Sequence, residues 1–402
     1  MRKFAKVAVL MAMLAMIPSL GFAGSSDIQT TQEEAITISS KVPFKFYGFI
    51  SAETMYGDSQ VASFGTSNAT IAAYNTNITG VTRVVDETLQ TRNDAFLDFT
   101  VQNTRFGFVL DEYDFNGKNF SVEARLEMDF FNLANVNIHA MNPRIRRAYS
   151  TIGQERWRVL FGMEWELYSP LNTSTLDVGS NMWFQGNQGF RRPQISFTYN
   201  HPIGDESKIE AAASVNLAGN SMSQMDAGVT TAMPMLQARV GFFHKLPAGQ
   251  LKAYVSTAYG HHNNAVVGNA KVKNWGLAAS LEVPIHKYLT PMGEFQYGYS
   301  LGSQLSLASD TTRQRFIAAW GAVKSCWLDW FETNVGYGVE DLNDAQVAAG
   351  WVKNNQKIFA NLKFMPVKPL VIGLEYNYLR TNYQGSGASK ANTMMLNTIF
   401  FF

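Results

Sequence analysis

The feature that most constrains this chain is a period of two. Phe120, Val122, Ala124, Leu126, Met128 and Phe130 share one face, and Ser121, Glu123, Arg125, Glu127 and Asp129 share the other. The same alternation runs through Trp157, Val159, Phe161, Met163, Trp165 and Leu167, with Arg158, Glu164 and Glu166 opposite. A half-buried strand of a soluble sheet gives this pattern too. Length separates the cases. Soluble strands average about five or six residues, whereas strands of about ten, tilted, cross a bilayer as a closed barrel. Similar segments, most of them ten to fourteen residues long, recur to the C-terminus.

Sixteen such strands are expected, at 44–57, 104–114, 120–131, 142–152, 157–169, 191–201, 208–218, 234–246, 250–261, 273–284, 288–301, 312–324, 327–340, 356–366, 369–382 and 391–402. Their connections alternate between short turns, such as Pro247-Ala248-Gly249 and Val367-Lys368, and longer polar stretches rich in Gly, Ser and Asn. The fold class expected is therefore all-β: a transmembrane antiparallel barrel with short periplasmic turns, long external loops and both termini in the periplasm. Ser59 to Asn103 fits less well, because Phe99 and Val101 fall out of phase with Phe106 and Phe108, which suggests a hairpin or bulge. Tyr47, Tyr56, Trp165, Tyr168, Tyr199, Tyr259 and Tyr378 stand near strand ends, where interfacial girdles need aromatics.

The N-terminus indicates export. Arg2, Lys3 and Lys6 precede an apolar run from Val7 to Met16, Pro18 breaks it, and Gly21-Phe22-Ala23 supplies the small residues a signal peptidase requires. The expected division is 1–23 signal peptide, 24–43 short polar leader and 44–402 barrel. Removing the first 23 residues leaves 30 basic against 32 acidic residues. Such a balance argues against a nucleic-acid partner. The single cysteine, Cys326, excludes an internal disulfide framework. No later apolar run is long enough for a helical span.

No catalytic set stands out, so no enzyme activity and no cofactor are expected. The six histidines are scattered, and the adjacent His261 and His262 point to opposite faces of a strand with no third metal ligand nearby. A Ser/His hydrolase on the lipid-facing rim is the enzymatic alternative. The arginines are more informative. With the apolar face outward, Arg105, Arg125, Arg144, Arg146, Arg158, Arg192, Arg239, Arg313 and Arg315 point inward and become the candidate pore-lining set. Inward acids include Glu123, Glu127, Asp129, Glu164, Glu166 and Glu294, so the competing reading is charge pairing across the wall. Strand direction puts Arg125, Arg146 and Arg239 near the waist, Arg158 at the periplasmic mouth and the others around the outer vestibule. Arg147 falls on the outward face, where a lipid-exposed charge costs roughly 2–4 kcal/mol at mid-depth, so a rim, an interface or a bulge is expected there.

Several motifs suggest a family. Thr104-Arg105-Phe106-Gly107-Phe108, the strand pair running through Asp129-Phe130-Phe131, Arg144 to Tyr149, Phe161-Gly162-Met163 leading to Tyr168-Ser169-Pro170, and Arg191 to Ile195 resemble the DcaP-like outer-membrane porins over about residues 104 to 199. The resemblance implies a sixteen-stranded homotrimer in the outer membrane of a Gram-negative-type bacterium that favours small anions, including dicarboxylates. The terminal Phe402 resembles the signal read by the barrel-assembly machinery. Family members often carry a longer coiled-coil N-terminal extension, which the short leader here lacks. The connection Pro170 to Phe190 follows strand five, as does the loop that folds inward in general porins. Asn172, Asp177 and Asn181 are its candidate constriction residues, and Met182-Trp183-Phe184 is the apolar cluster that would anchor it.

The function expected is thus diffusion of small solutes, with a modest preference for mono- and dicarboxylates. The alternatives are a non-selective or sugar-passing porin and a structural or adhesive barrel with a plugged lumen.

Overall fold

The computed structural model describes residues 44–59, 61–62, 83–84, 95–114, 120–130, 143–176, 181–219, 228–264, 270–310, 313–385 and 387–402. The expected signal peptide 1–23, the leader 24–43 and Asp177 lie outside them.

Sixteen antiparallel strands close into a barrel. They are β1 (Lys45–Gly57), β2 (in two stretches, Phe96–Thr100 and Arg105–Asp114), β3 (Ser121–Asp129), β4 (Arg144–Gln154), β5 (Trp157–Trp165), β6 (Arg191–Ile203), β7 (Ser207–Asn216) and β8 (Met235–Leu246). The second half comprises β9 (Gly249–Asn264), β10 (Ala270–Glu282), β11 (Thr290–Tyr299), β12 (Arg315–Leu328), β13 (Phe331–Leu342), β14 (Val352–Val367), β15 (Leu370–Tyr383) and β16 (Gly387–Phe401). Every expected strand is present within a few residues. Each strand pairs with its chain neighbours, and β1 closes the ring against β16 from Phe49↔Phe401 to Gly57↔Thr393. A closed ring leaves no edge unpaired, which a bilayer demands of any spanning sheet.

Alternation sets the two surfaces. Outward positions such as Ile195 and Leu277 are exposed, and their strand neighbours face the lumen and are buried. Tyr288 stacks on Trp327 with ring centroids 5.5 Å apart at the short-turn end, and Trp275 meets Tyr297 edge-on at 5.6 Å at the other. These are the aromatic girdles of a membrane barrel. Three of the expected girdle residues point inward instead. Trp165, at the end of β5, lines an interior cavity and packs with Trp183 and Leu305. Tyr47 donates its hydroxyl to Glu127, and Tyr168 is completely buried inside the barrel.

Two phase changes in the sequence are physical irregularities in the wall. Both stretches of β2 pair with β1, and Val101 to Thr104 forms a tight turn between them. That turn lets Leu97 and Phe99, and then Phe106 and Phe108, all lie on the lipid side. In β4, Glu127 is opposite Arg147 while Met128 is opposite Ile145, so Arg146 is the extra residue of a bulge.

Candidate functional site

The β5–β6 connection runs inside the barrel. Its path is fixed by buried wall carboxylates and amides that accept or donate to its backbone. Leu167 N–H donates to Gln237 on β8 at 2.9 Å, and Leu171 N–H to Glu294 on β11 at 2.9 Å. Asn361 on β14 donates to the Ser174 carbonyl at 3.0 Å, Thr175 donates to Glu375 on β15 at 2.7 Å, and Asn355 donates to the Phe184 carbonyl at 3.0 Å. Met182 is fully buried against Leu171, Trp320, Ala322 and Phe359. Trp183 and Phe184 pack on Leu305. The apolar triplet is therefore the anchor, as its sequence implied.

Leu305 belongs to a second inward segment, the β11–β12 connection. Phe184 N–H donates to the Leu305 carbonyl at 3.1 Å and Gly189 N–H to the Gln304 carbonyl at 2.8 Å, so the two connections interlock. Sequence reading gave no sign of this second segment, yet a signal existed. Inward positions of the wall are glycine where the segments lie closest: a Cβ on Gly338 would sit 2.2 Å from the Gln185 carbonyl oxygen, and one on Gly276 would sit 2.5 Å from Leu301. Inward Phe316, Ala318 and Trp320 give β12 an apolar inner face for the same reason.

That apolar inner face overturns two assignments. Ile317 sets the lipid side of β12, and Arg315 shares its phase, while Arg313 is exposed just before the strand. Arg315 therefore points away from the lumen and Arg313 lies outside the strand. Sequence could not show this, because a strand apolar on both faces cannot be oriented by hydrophobicity alone. Arg192 is buried rather than pore-lining. It pairs with Glu166 at 2.9 Å and donates to the carbonyls of Leu217, Gly219 and Ser303, clamping three connections.

The remaining arginines gather on the opposite wall. A cavity of about 370 Å³ opens between β3 to β8 and the start of the β5–β6 segment, with Arg125, Arg147, Arg158 and Arg239 facing Glu123, Glu164 and Glu166. Trp165, at the end of β5, and Asn172, on the segment, also line it. Asn181 donates to Asn172 at 2.6 Å and accepts from Thr173 at 2.8 Å, which ties the two expected constriction residues together.

Most of these charges are paired. Arg144 grips Asp129 at 3.0 and 2.8 Å, and Arg146 bridges Glu127 at 2.9 Å and Asp129 at 2.7 Å. Arg105 lies 3.7 Å from Glu127, Arg239 bonds Glu210 at 2.7 Å, and Arg158 approaches Glu123 at 3.5 Å. Arg125 differs. Its guanidinium lies 5.4 Å over the Tyr47 ring, and no carboxylate pairs with it among the described residues. Glu123 and Glu127, its neighbours on the same face, are engaged by Tyr149 and Arg158 and by Tyr47 and Arg146.

The segment Gly298-Tyr299-Ser300-Leu301-Gly302 has the Gly-x-Ser-x-Gly spacing of serine hydrolases. Its context is different, because a three-residue 3-10 turn rather than a helix follows. Ser300 is buried with its Oγ accepting from Gln314 N–H at 3.2 Å, and His262 Nδ1 faces Asn274 Oδ1 at 3.0 Å.

Neither a protein-family model nor a curated protein matches the chain. Solved structures do. The outer-membrane channel DcaP of Acinetobacter baumannii is similar with a TM-score of 0.68 at 19% identity, covering 90% of this chain and 97% of that one. An anion-selective porin from Comamonas acidovorans gives 0.59 at 12% identity, covering 89% and 99%. Salmonella typhi OmpF in complex with daunomycin gives 0.59 at 8% identity, covering 90% and 98%. The closed ring of sixteen strands, the lipid-side apolar belt and these three likenesses agree: the chain has the barrel fold of the outer-membrane porins.

Proposed function

We propose that this protein is an outer-membrane porin that passes small solutes by diffusion, with a modest preference for anions such as mono- and dicarboxylates. The wall supports passage, because the inward positions bordering the cavity on β3 to β8 are mostly polar, Leu160 apart. One observation carries the anion preference: Arg125 presents a guanidinium to that cavity with no carboxylate partner among the described residues. Guanidinium stays charged at any working pH and binds carboxylates bidentately. Low-dielectric walls focus its field, so one unpaired cation biases a narrow path even where four arginines face three glutamates.

A homotrimer fits this reading, with the uncharged outward face of β1 to β6 as the contact between copies. The Acinetobacter and Comamonas likenesses agree with the channel class. A planar-bilayer recording under a salt gradient tests it. Discrete conductance steps in threes and a zero-current potential on the anion side are expected. Absence of steps would favour the plugged-barrel alternative.

A further inference from the structure

Arg125 has no carboxylate partner among the described residues, although two acids share its strand face. Glu123 and Glu127 flank it two positions away on β3. Such neighbours lie about 7 Å apart along a strand, within reach of side chains this long. Both acids are held elsewhere. Each has one oxygen on a guanidinium from another strand and the other on a tyrosine hydroxyl. Glu127 Oε1 takes Arg146 at 2.9 Å and Arg105 at 3.7 Å, and Tyr47 donates to its Oε2 at 2.9 Å. Glu123 Oε2 faces Arg158 at 3.5 Å, and Tyr149 donates to its Oε1.

Register explains how both tyrosines arrive. Tyr47 on β1, Gly107 on β2 and Glu127 on β3 form one row of cross-strand partners. Gly107 carries no side chain, and a Cβ there would sit 3.1 Å from the Tyr47 hydroxyl. The tyrosine therefore lies across β2 and reaches the third strand. Tyr149 on β4 stands directly opposite Arg125 and reaches diagonally to Glu123. On its other side Arg125 is opposite Val109, so neither of its cross-strand partners is an acid. Its guanidinium lies 5.4 Å over the Tyr47 ring and borders the cavity. A ring attracts that charge without consuming an N–H, whereas a carboxylate would consume two.

We infer that Tyr47 and Tyr149 are specificity-determining residues of the pore: their hydroxyls hold Glu127 and Glu123 off Arg125 and keep its N–H edge open to the carboxylate of a passing solute. The inference rests on the reading of Arg125 as the group that favours anions. Arg239 shows the opposite outcome on the same wall. It lies 5.2 Å over the Tyr254 ring, but Tyr254 donates to no carboxylate among the described residues, and Glu210 takes the guanidinium at 2.7 Å.

The test is a planar-bilayer recording of the full chain, with succinate added to block the chloride current. Tyr→Phe removes a hydroxyl and no charge, so the zero-current potential in a chloride gradient should stay at the parent's value. The half-blocking succinate concentration should rise about tenfold in Y47F and in Y149F, because the released acid then occupies Arg125. Y254F, the same change beside an arginine already paired, should leave it unchanged. In an E127Q background the competing charge is gone, so adding Y47F should cost nothing further; that cycle separates competition from misfolding. R125A separates the two levels of the argument. Weaker block in R125A with parent-like block in Y47F and Y149F would overturn this inference alone. Parent-like block in R125A, or no block of the parent, would overturn the Arg125 reading and this inference with it. A Y47F loss that persists in the E127Q background would make Tyr47 merely structural and overturn its role here.

Discussion

Arg147 donates from Nε to Glu164 at 2.8 Å on the lumen side of the wall, although strict alternation along β4 places it among the lipids. One extra residue, Arg146, reverses the phase. The bulge turns Arg144, Arg146 and Arg147 all inward while Ile145 stays outward. A lipid-facing charge is thereby avoided, and three cations are concentrated beside the acids of β3 and β5.

Arg125 should carry most of the selectivity. Replacing it by Ala is expected to move the zero-current potential clearly toward cations. Replacing Arg239, which Glu210 compensates, should move it less. Equal shifts, or no shift in either, would sink the assignment of the unpaired guanidinium.

Arg146→Ala is expected to act on stability first. It takes from Glu127 its closest guanidinium partner and from Asp129 one of its guanidinium partners. Breaking such a buried pair costs about 3 kcal/mol. A lower urea midpoint for the folded, heat-modifiable band is the measurement, and an unchanged midpoint would contradict it.

Glu294 pins the inward segment. It accepts from Ser169, Leu171 N–H, Ser280 and Trp320. Glu294→Ala strands several buried donors at about 1–3 kcal/mol each, so the segment should loosen. Larger and noisier single-channel currents are expected. A steady current of parent size would show that the segment does not limit the bore.

Gly48 closes the barrel. Its N–H and carbonyl exchange 3.1 Å hydrogen bonds with Phe402, and a Cβ there would lie 2.3 Å from the Arg105 carbonyl. Gly48→Val should impair closure, read as loss of the compact, heat-modifiable form on electrophoresis; full retention would contradict it.

Asp310, in the β11–β12 connection, has its carboxyl pushed up to about 6 by burial, against the pull of His262 and Arg192. The folded state then holds its proton more tightly than the unfolded chain between about pH 4 and pH 6. Its contribution to stability is full below that window and lost as pH rises through it. Protection of residues 300–310, as hydrogen exchange relative to the intrinsic rate at each pH, should therefore fall from pH 4 to pH 6, and Asp310→Asn should flatten the dependence. A slope surviving in the Asn variant would assign it elsewhere.

The sequence by itself determined the sheet. Period-two alternation is a local property, because each side chain's face follows from its neighbours, so strands, their order and the short turns were all readable along the chain. Even the misfit of Phe99 against Phe106 pointed to the break in β2. The lumen was decided only by the tertiary structure. Hydrophobicity orients a strand when one face alone is apolar, and β12, apolar outside for lipid and inside for two folded connections, gave no such signal; Arg313 and Arg315 were misplaced as a result. Whether an arginine is free also depends on contacts between residues distant in the chain. Arg192 and Arg125 look alike in sequence, yet one is clamped by Glu166 and Ser303 and the other, among the described residues, lies over the Tyr47 ring with no carboxylate partner. Long-range packing, not local pattern, makes that distinction.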